Sequence, residues 1–359
     1  MKTNITYRER KKGNWQYIIS YKDETGNWKQ KGKQGFEKKS LAKEAAELAL
    51  KSLKKEIDEE SKLNKEYRDI TFEEFSVKFL NHIEIHREYN TYKNYKNVFN
   101  QFRDLNNLEI NKIGNMEIQA IVDGFVKRKL KSSTVRFYVK RLNNYFEYAA
   151  NVYKIIKESP VKNITIPENK KVNDKKVLSL QEYNKLLKDF ENSPYQIVIL
   201  LTGSCGLRIS EAIGMTWDNI DFENKTLNVN RQWKKTLQGH YELSYLKTPN
   251  SLRKVPLSDE LILKLKEYKN THPTDIYNRV ILYKSDAVIT NLNILLKPYN
   301  TTIHRLRHTY ATTLISNNID FKTAAKILGH DVTQTLKTYS HVTDEMMQNA
   351  AKKINDIFK

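Results

Sequence analysis

The chain of 359 residues has a single cysteine, Cys205, which excludes an internal disulfide framework and any metal site built from several thiolates. It has no uninterrupted apolar stretch near the ~20 residues that a membrane span requires. Its first residues, MKTNITYRERKKG, put no apolar run behind their charges, so they do not read as a signal peptide. Internal repeats and low-complexity segments are likewise missing. Acidic charge is the scarce sign, with 42 Asp+Glu against 62 Lys+Arg and a formal charge of +20. These absences point to a cytoplasmic protein with no membrane partner. The excess of positive charge points to a polyanion, nucleic acid before any other.

Three divisions are expected. In residues 1–65, NWQYIISY alternates as a strand, ETGNW signals a hairpin and QKGKQGF reads as a glycine-punctuated loop. Residues 1–40 hold eleven Lys/Arg and four Asp/Glu, a balance of +7, with Trp15, Tyr17, Tyr21 and Trp28 interleaved. Such a sheet can lie in a DNA groove, or it can be a solvated sheet over an aromatic core. SLAKEAAELALKSLKKEIDEE is an amphipathic helix able to cover it, and SKLNKEYRDI reads as a linker. Residues 66–170 are helical, opening at Thr71 with Glu74 three residues on, the spacing of a capping box. The last of these helices carries Arg136, Lys140 and Arg141 among aromatics whose spacing is that of a core. The prolines and charged run of ESPVKNITIPENKKVNDKK end this region near Lys170. Residues 171–359 mix helices with antiparallel strands. The expected fold class is multidomain and mainly α: a small basic β-sheet plus helix, a helical middle and a mixed α+β final domain.

Within the final region, HRLRHTYATTL sets His304, Arg307 and His308 on one helix face, with Ala311 and Ile315 continuing the stripe and Arg305 turned aside. A cationic turn feeding into a packed one is costly unless an anion sits against it. Arg208 follows the glycine-flanked turn of LTGSCGLRISE, and Lys247 lies at the KTPN turn. AAKILGH is a helix stopped by Gly329, with His330 just beyond. DVTQTLKTYSHV holds a short helix ending near Tyr339. After it, DEMMQNAAKKINDIF spaces Met346, Ala350, Ile354 and Phe358 as one apolar helical stripe, able to pack in its own subunit or on a neighbour.

Taken in this order, GLRISE, LKTPNSLRKVPL, HRLRHTYATTL, LGH and TLKTYSHV resemble the tyrosine recombinases, the phage and transposon integrase family. The likeness spans essentially all of residues 174–359, and the N-terminal layout is similar to the family's arm-binding sheet and helical core-binding domain. It implies a site-specific recombinase that cuts and rejoins double-stranded DNA through a 3′-phosphotyrosyl link, integrating and excising a mobile element. Arg208 and Arg307 would hold the phosphate, being planar, always charged and able to pair two oxygens. His304 would donate to the phosphate and handle the nucleophile's proton, His330 would contact a phosphoryl oxygen, Lys247 would protonate the departing 5′-oxygen, and Tyr339 would be the nucleophile. The link conserves bond energy, so neither ATP nor any other cofactor is implied. The resemblance also brings core and arm sites, a homotetramer on DNA, and a directionality factor and host DNA-bending protein as candidate partners.

Other readings stand beside these. Singly, Arg208 fits a helix-start ion pair with Glu211, Lys254 lies close enough to stand in for Lys247, and His330 fits a helix cap. His304 and His308 have the spacing of a zinc pair, but HRLRH lacks the glutamate of a metalloprotease helix and sets Arg307 on the same face. A Xer-like resolvase would dispense with the basic sheet. A DNA-binding regulator would not need all six catalytic side chains, and a metal-dependent nuclease would lose activity in EDTA.

Overall fold

The computed structural model describes residues 3–22, 27–168, 177–246, 248, 251–283, 285–339 and 354. The chain divides into two compact units, Met1–Lys171 and Val172–Lys359. The first begins with three antiparallel strands in the order β1 (Thr3–Lys11), β2 (Asn14–Lys22), β3 (Trp28–Phe36). Helix α1 (Lys39–Ser61) covers one face, where Ala46 and Leu53 are buried with Tyr17 and Ile19. QKGKQGF is thus the body of a strand and not a loop. Every residue of β3 but Phe36 is exposed, so its side chains carry no alternation that would announce an edge strand. Its glycines have separate jobs. A Cβ on Gly32 would lie 2.6 Å from the Tyr17 carbonyl oxygen, and Gly35, at φ +101°, sits where the pairing shifts register. The expected ETGNW hairpin falls largely on residues 23–26, outside the described residues.

The stretch expected as a linker is tied down. Asn64 N–H donates to the Lys154 carbonyl at 2.8 Å, and Tyr67 meets Tyr153 edge-on. Helix α2 (Phe72–His86) opens as the spacing of Thr71 and Glu74 requires, with the Glu74 carboxylate accepting from Thr71 N–H at 2.9 Å and Thr71 Oγ1 accepting from Glu74 N–H at 3.3 Å. With α3 (Tyr89–Gln101), α4 (Asn115–Lys127) and α5 (Ser132–Asn151) it encloses an aromatic core around Phe72, Phe75, Phe99, Tyr145 and Phe146. Tyr145 is fully buried there and its hydroxyl donates to the Phe72 carbonyl at 2.9 Å, which satisfies the only polar atom the ring brings inside.

The second unit opens with α6 (Leu180–Asp189), α7 (Gln196–Gly203) and α8 (Ile209–Ile213). Its strands are β4 (Ile220–Asp221), β5 (Thr226–Val229), β6 (Arg231–Lys235), β7 (Tyr241–Tyr245) and β8 (Arg253–Pro256). They form an antiparallel sheet in the order β4-β5-β8 and a separate hairpin of β6 and β7. Five further helices follow: α9 (Asp259–Thr271), α10 (Ser285–Leu295), α11 (Ile303–Ser316), α12 (Phe321–Leu328) and α13 (Val332–Tyr339). Helix α7 is apolar all round, is buried from Ile197 to Gly203, and packs on α11. The sequence pattern of Met346 to Phe358 lies outside the described residues except for Ile354. No helix among the described residues is long and apolar enough to cross a membrane.

Candidate active site

The site grows from the chain turn after α7. Gly206 takes φ +64°, and a Cβ there would lie 2.4 Å from the Tyr310 ring, so the turn needs glycine for both conformation and space. Arg208 follows as the N-cap of α8. Its backbone N–H donates to the Glu211 carboxylate at 2.8 Å and its Nη1 at 2.7 Å, the ion pair that the sequence allowed for it. A second guanidinium nitrogen reaches the Gly329 carbonyl at 3.4 Å. The side chain keeps 36% of its surface exposed, so pairing with Glu211 does not withdraw it from solvent.

Arg307, on α11, is buried to 2% exposure. It donates to the carbonyls of Gly206 and Leu328 and lies 2.8 Å from His330 Nε2. Its Nη1 is 3.8 Å from Glu211. The turn before α8, the end of α12 and the second turn of α11 therefore converge on one guanidinium. Leu328 is the last residue of α12, Gly329 caps it at φ +66°, and His330 N–H closes the turn onto the Ala325 carbonyl at 3.0 Å.

The contact with Arg307 makes His330 Nε2 the acceptor, which leaves the proton on Nδ1, a buried atom with no hydrogen-bond partner. Burial and then the charges of Arg307, Arg208 and Arg253 hold its pKa down to about 3, so the ring is neutral at physiological pH. His304, in the first turn of α11, is exposed, and its ring meets that of the half-buried His308 edge-on at 4.9 Å. Thr302 caps the helix by accepting from Arg305 N–H, and Arg305 turns back to the Asn300 carbonyl at 3.1 Å, away from this face. Tyr339 is the last residue of α13, a helix that packs on α11 and α12. Lys247 lies outside the described residues. Lys254 is exposed on β8.

One member of the cluster went unrecognised in the sequence. Arg253 on β8 donates to Glu211 through Nη2 at 2.7 Å and Nη1 at 3.2 Å, to the Ile327 carbonyl through Nε at 2.8 Å, and to the Ser251 carbonyl at 3.0 Å. A signal existed: in RKVP, Arg253 shares parity with the fully buried Val255, and a cation on the core face of a strand demands a buried anion. Glu211 is that anion. Burial pushes its pKa up, but the hydrogen bonds and charges of Arg253, Arg208 and Arg307 outweigh it and hold the carboxyl at about 2. Three guanidinium groups and one carboxylate leave a formal excess of +2 over these four side chains.

Arginines gathered on one buried carboxylate, with a histidine after a helix-stopping glycine and a tyrosine on the next helix, follow the order of elements in the recombinase half of an integrase. The profile of the phage integrase family matches residues 176–346. Residues 176–346 belong to the phage integrase family. An arm DNA-binding domain profile matches residues 6–57, and the SAM-like N-terminal domain of phage integrases matches residues 71–126. Among relatives of the family, a XerC-like tyrosine recombinase of Caldanaerobacter subterraneus is 28% identical over 289 residues, 71% of this chain and 74% of that one. The transposase of transposon Tn916 from Enterococcus faecalis is 27% identical over 285 residues, 69% of this chain and 70% of its own. The fold is also that of the Tn1549 transposon integrase, whose structure was solved in complex with a circular intermediate DNA: TM-score 0.66 at 21% identity, covering 79% of this chain and 99% of that one.

Proposed function

We propose that this integrase integrates and excises a mobile DNA element, holding one scissile phosphate at a time against Arg208, Arg307, His304 and His330 while Tyr339 attacks it. Phosphoryl transfer gains negative charge on the non-bridging oxygens, and two fixed guanidinium groups meet it without reorganising. The observation that carries this reading is the buried Arg307, held by two carbonyls and by His330 within a cluster of excess charge +2. Tyr339 Oη forms a bond to phosphorus as the bond from phosphorus to the 5′-oxygen breaks. The phenol's proton passes to His304, and Lys247 supplies a proton to the departing 5′-hydroxyl. The resulting 3′-phosphotyrosyl link is then opened by the 5′-hydroxyl of the partner strand, which restores the tyrosine. His330, neutral and held to Arg307 through Nε2, sits at the edge of this phosphate site.

The three divisions 1–65, 66–170 and 171–359 give this enzyme an arm-binding, a core-binding and a catalytic part. The arm DNA-binding match favours an element-borne integrase over a Xer-like resolvase. Assembly as a tetramer on paired sites, work on DNA within the nucleoid, and help from a directionality factor and a bending protein complete the reading.

Tyr339→Phe tests it. On a nicked suicide duplex spanning the core site, wild type accumulates a covalent protein–DNA adduct, whereas the variant binds the duplex and forms none. An adduct of undiminished yield removes Tyr339 from the role of nucleophile.

A further inference from the structure

Helices α2, α3 and α5 of the first unit border a cavity of about 340 Å³. Its charged lining is all of one sign: Arg87, just past the end of α2, and Arg141 on α5, with no carboxylate among the lining residues. Among the described residues neither guanidinium pairs with an acid. Arg141 instead donates to the Tyr95 hydroxyl at 3.4 Å and lies 5.0 Å from that ring and 5.4 Å from the ring of Phe137. Charge of one sign gathered in a concave site with apolar walls raises the local potential and draws an anion.

The uncharged groups fit the same guest. Tyr95 is only 4% exposed, and its hydroxyl oxygen accepts from both Arg141 and the Asn144 amide, each at 3.4 Å. Its own proton has no acceptor among the described residues, so a buried donor is left over beside the two cations. His82 continues a row of rings, 4.7 Å from Tyr148 and 4.5 Å from His86, and the half-buried rings of His82 and Tyr148 both line the cavity. A nucleobase stacks on such a surface whatever its sequence. His82 and His86 have the spacing of a chelating pair, but the guanidinium of Arg87 repels a metal cation. A phosphate monoester carries about −1.5 to −2 at pH 7 and so matches two guanidinium groups. A backbone diester carries one charge and leaves a guanidinium unmatched. Small-ligand cavities run from about 300 to 1,000 Å³, so this one suits a mononucleotide.

We infer that this cavity binds a mononucleotide, with Arg87, Arg141 and Tyr95 Oη donating to its terminal phosphate and the base lying against His82 and Tyr148. The site belongs to the first unit, whereas the proposed catalytic side chains belong to the second. Its guest is a bound ligand and not a reactant in strand cleavage.

Calorimetric titration of the full-length protein with adenosine 5′-monophosphate tests it, at about 0.15 M salt so that loose surface charge is screened. Wild type binds one equivalent, more tightly than it binds inorganic phosphate or adenosine, each of which lacks half of the contacts. Arg141→Gln weakens binding about tenfold or more, as loss of a charged hydrogen bond requires. Arg87→Gln does the same, and because Arg87 is exposed that change leaves the packing intact. Arg136→Gln removes an exposed charge from the same helix α5 and leaves the affinity unchanged. The ring resonance of His82, assigned by its loss in His82→Gln, shifts as the nucleotide is added. Binding of many equivalents, or an equal loss in Arg136→Gln, reduces the effect to general charge attraction and overturns the inference. So does a protein that ignores the nucleotide while Arg141→Gln impairs its binding to duplex DNA, which would make a backbone phosphate the occupant.

Discussion

Arg253 and Glu211 form a bidentate pair, 2.7 and 3.2 Å between guanidinium and carboxylate, in which both side chains are only 1% exposed. Glu211 is also the partner of Arg208 and lies 3.8 Å from Arg307, so the buried pair orients the two guanidinium groups that we propose hold the phosphate. Arg253→Met removes one member and leaves the carboxylate buried with a single close partner. Breaking such a pair costs about 3–5 kcal/mol. Urea unfolding followed by tryptophan fluorescence measures it, and a loss below about 1 kcal/mol, the range of exposed pairs, would show that the carboxylate is not held as described.

Gly206→Ala strains the turn that supplies a carbonyl to Arg307. The left-handed backbone costs an alanine about 1–3 kcal/mol, and its Cβ meets the Tyr310 ring. Cleavage falls about a hundredfold for each ångström by which the guanidinium is displaced. Tyr310→Ala in the same chain relieves the contact and recovers part of the activity in the suicide-substrate assay. No recovery would mean that backbone strain alone is responsible.

Acid should act on the catalytic unit in two stages. His330 has its folded pKa depressed to about 3 from its ordinary value near 6.5, so the unfolded chain takes up a proton first and stability declines as pH falls from 6.5 toward 3. Glu211 is depressed to about 2 from 4.5, so its contribution is complete above 4.5 and is lost as pH falls through 2. Urea midpoints from pH 7.5 to 5 therefore decline in wild type and flatten in His330→Gln. Equal slopes for the two proteins contradict the buried neutral imidazole.

Lys247 and Lys254 separate chemically. A duplex with sulfur in place of the bridging 5′-oxygen has a leaving group that departs without a proton, so it restores cleavage to Lys247→Ala. Lys254→Ala cleaves the ordinary duplex at near wild-type rate, since that side chain is exposed on β8. Rescue of Lys254→Ala instead would transfer the acid's role to Lys254.

Local signals carried most of what the sequence disclosed. The Thr71 and Glu74 capping box, the Gly329 stop that places His330, and the start of α8 at Arg208 each depend on residues within one helical turn. Arg307 was legible because its neighbours His304 and His308 share its helix face. Strand β3 was hidden because an edge strand exposed along its length shows no alternation. Arg253 was hidden because its partner lies 42 residues away, and only the pairing of β5 with β8 and the fold of α8 bring them together. Nothing in a turn-sized window contains that distance.

The alternation of the N-terminal sheet has an evolutionary consequence. Residues such as Tyr17 and Ile19 maintain the domain from one side, whereas Gln16, Gln30 and Gln34 stand on the other. Point changes on the open side can therefore accumulate without eroding the core, so the outer surface of this sheet can diverge between lineages while the packing that holds α1 against it stays as it is.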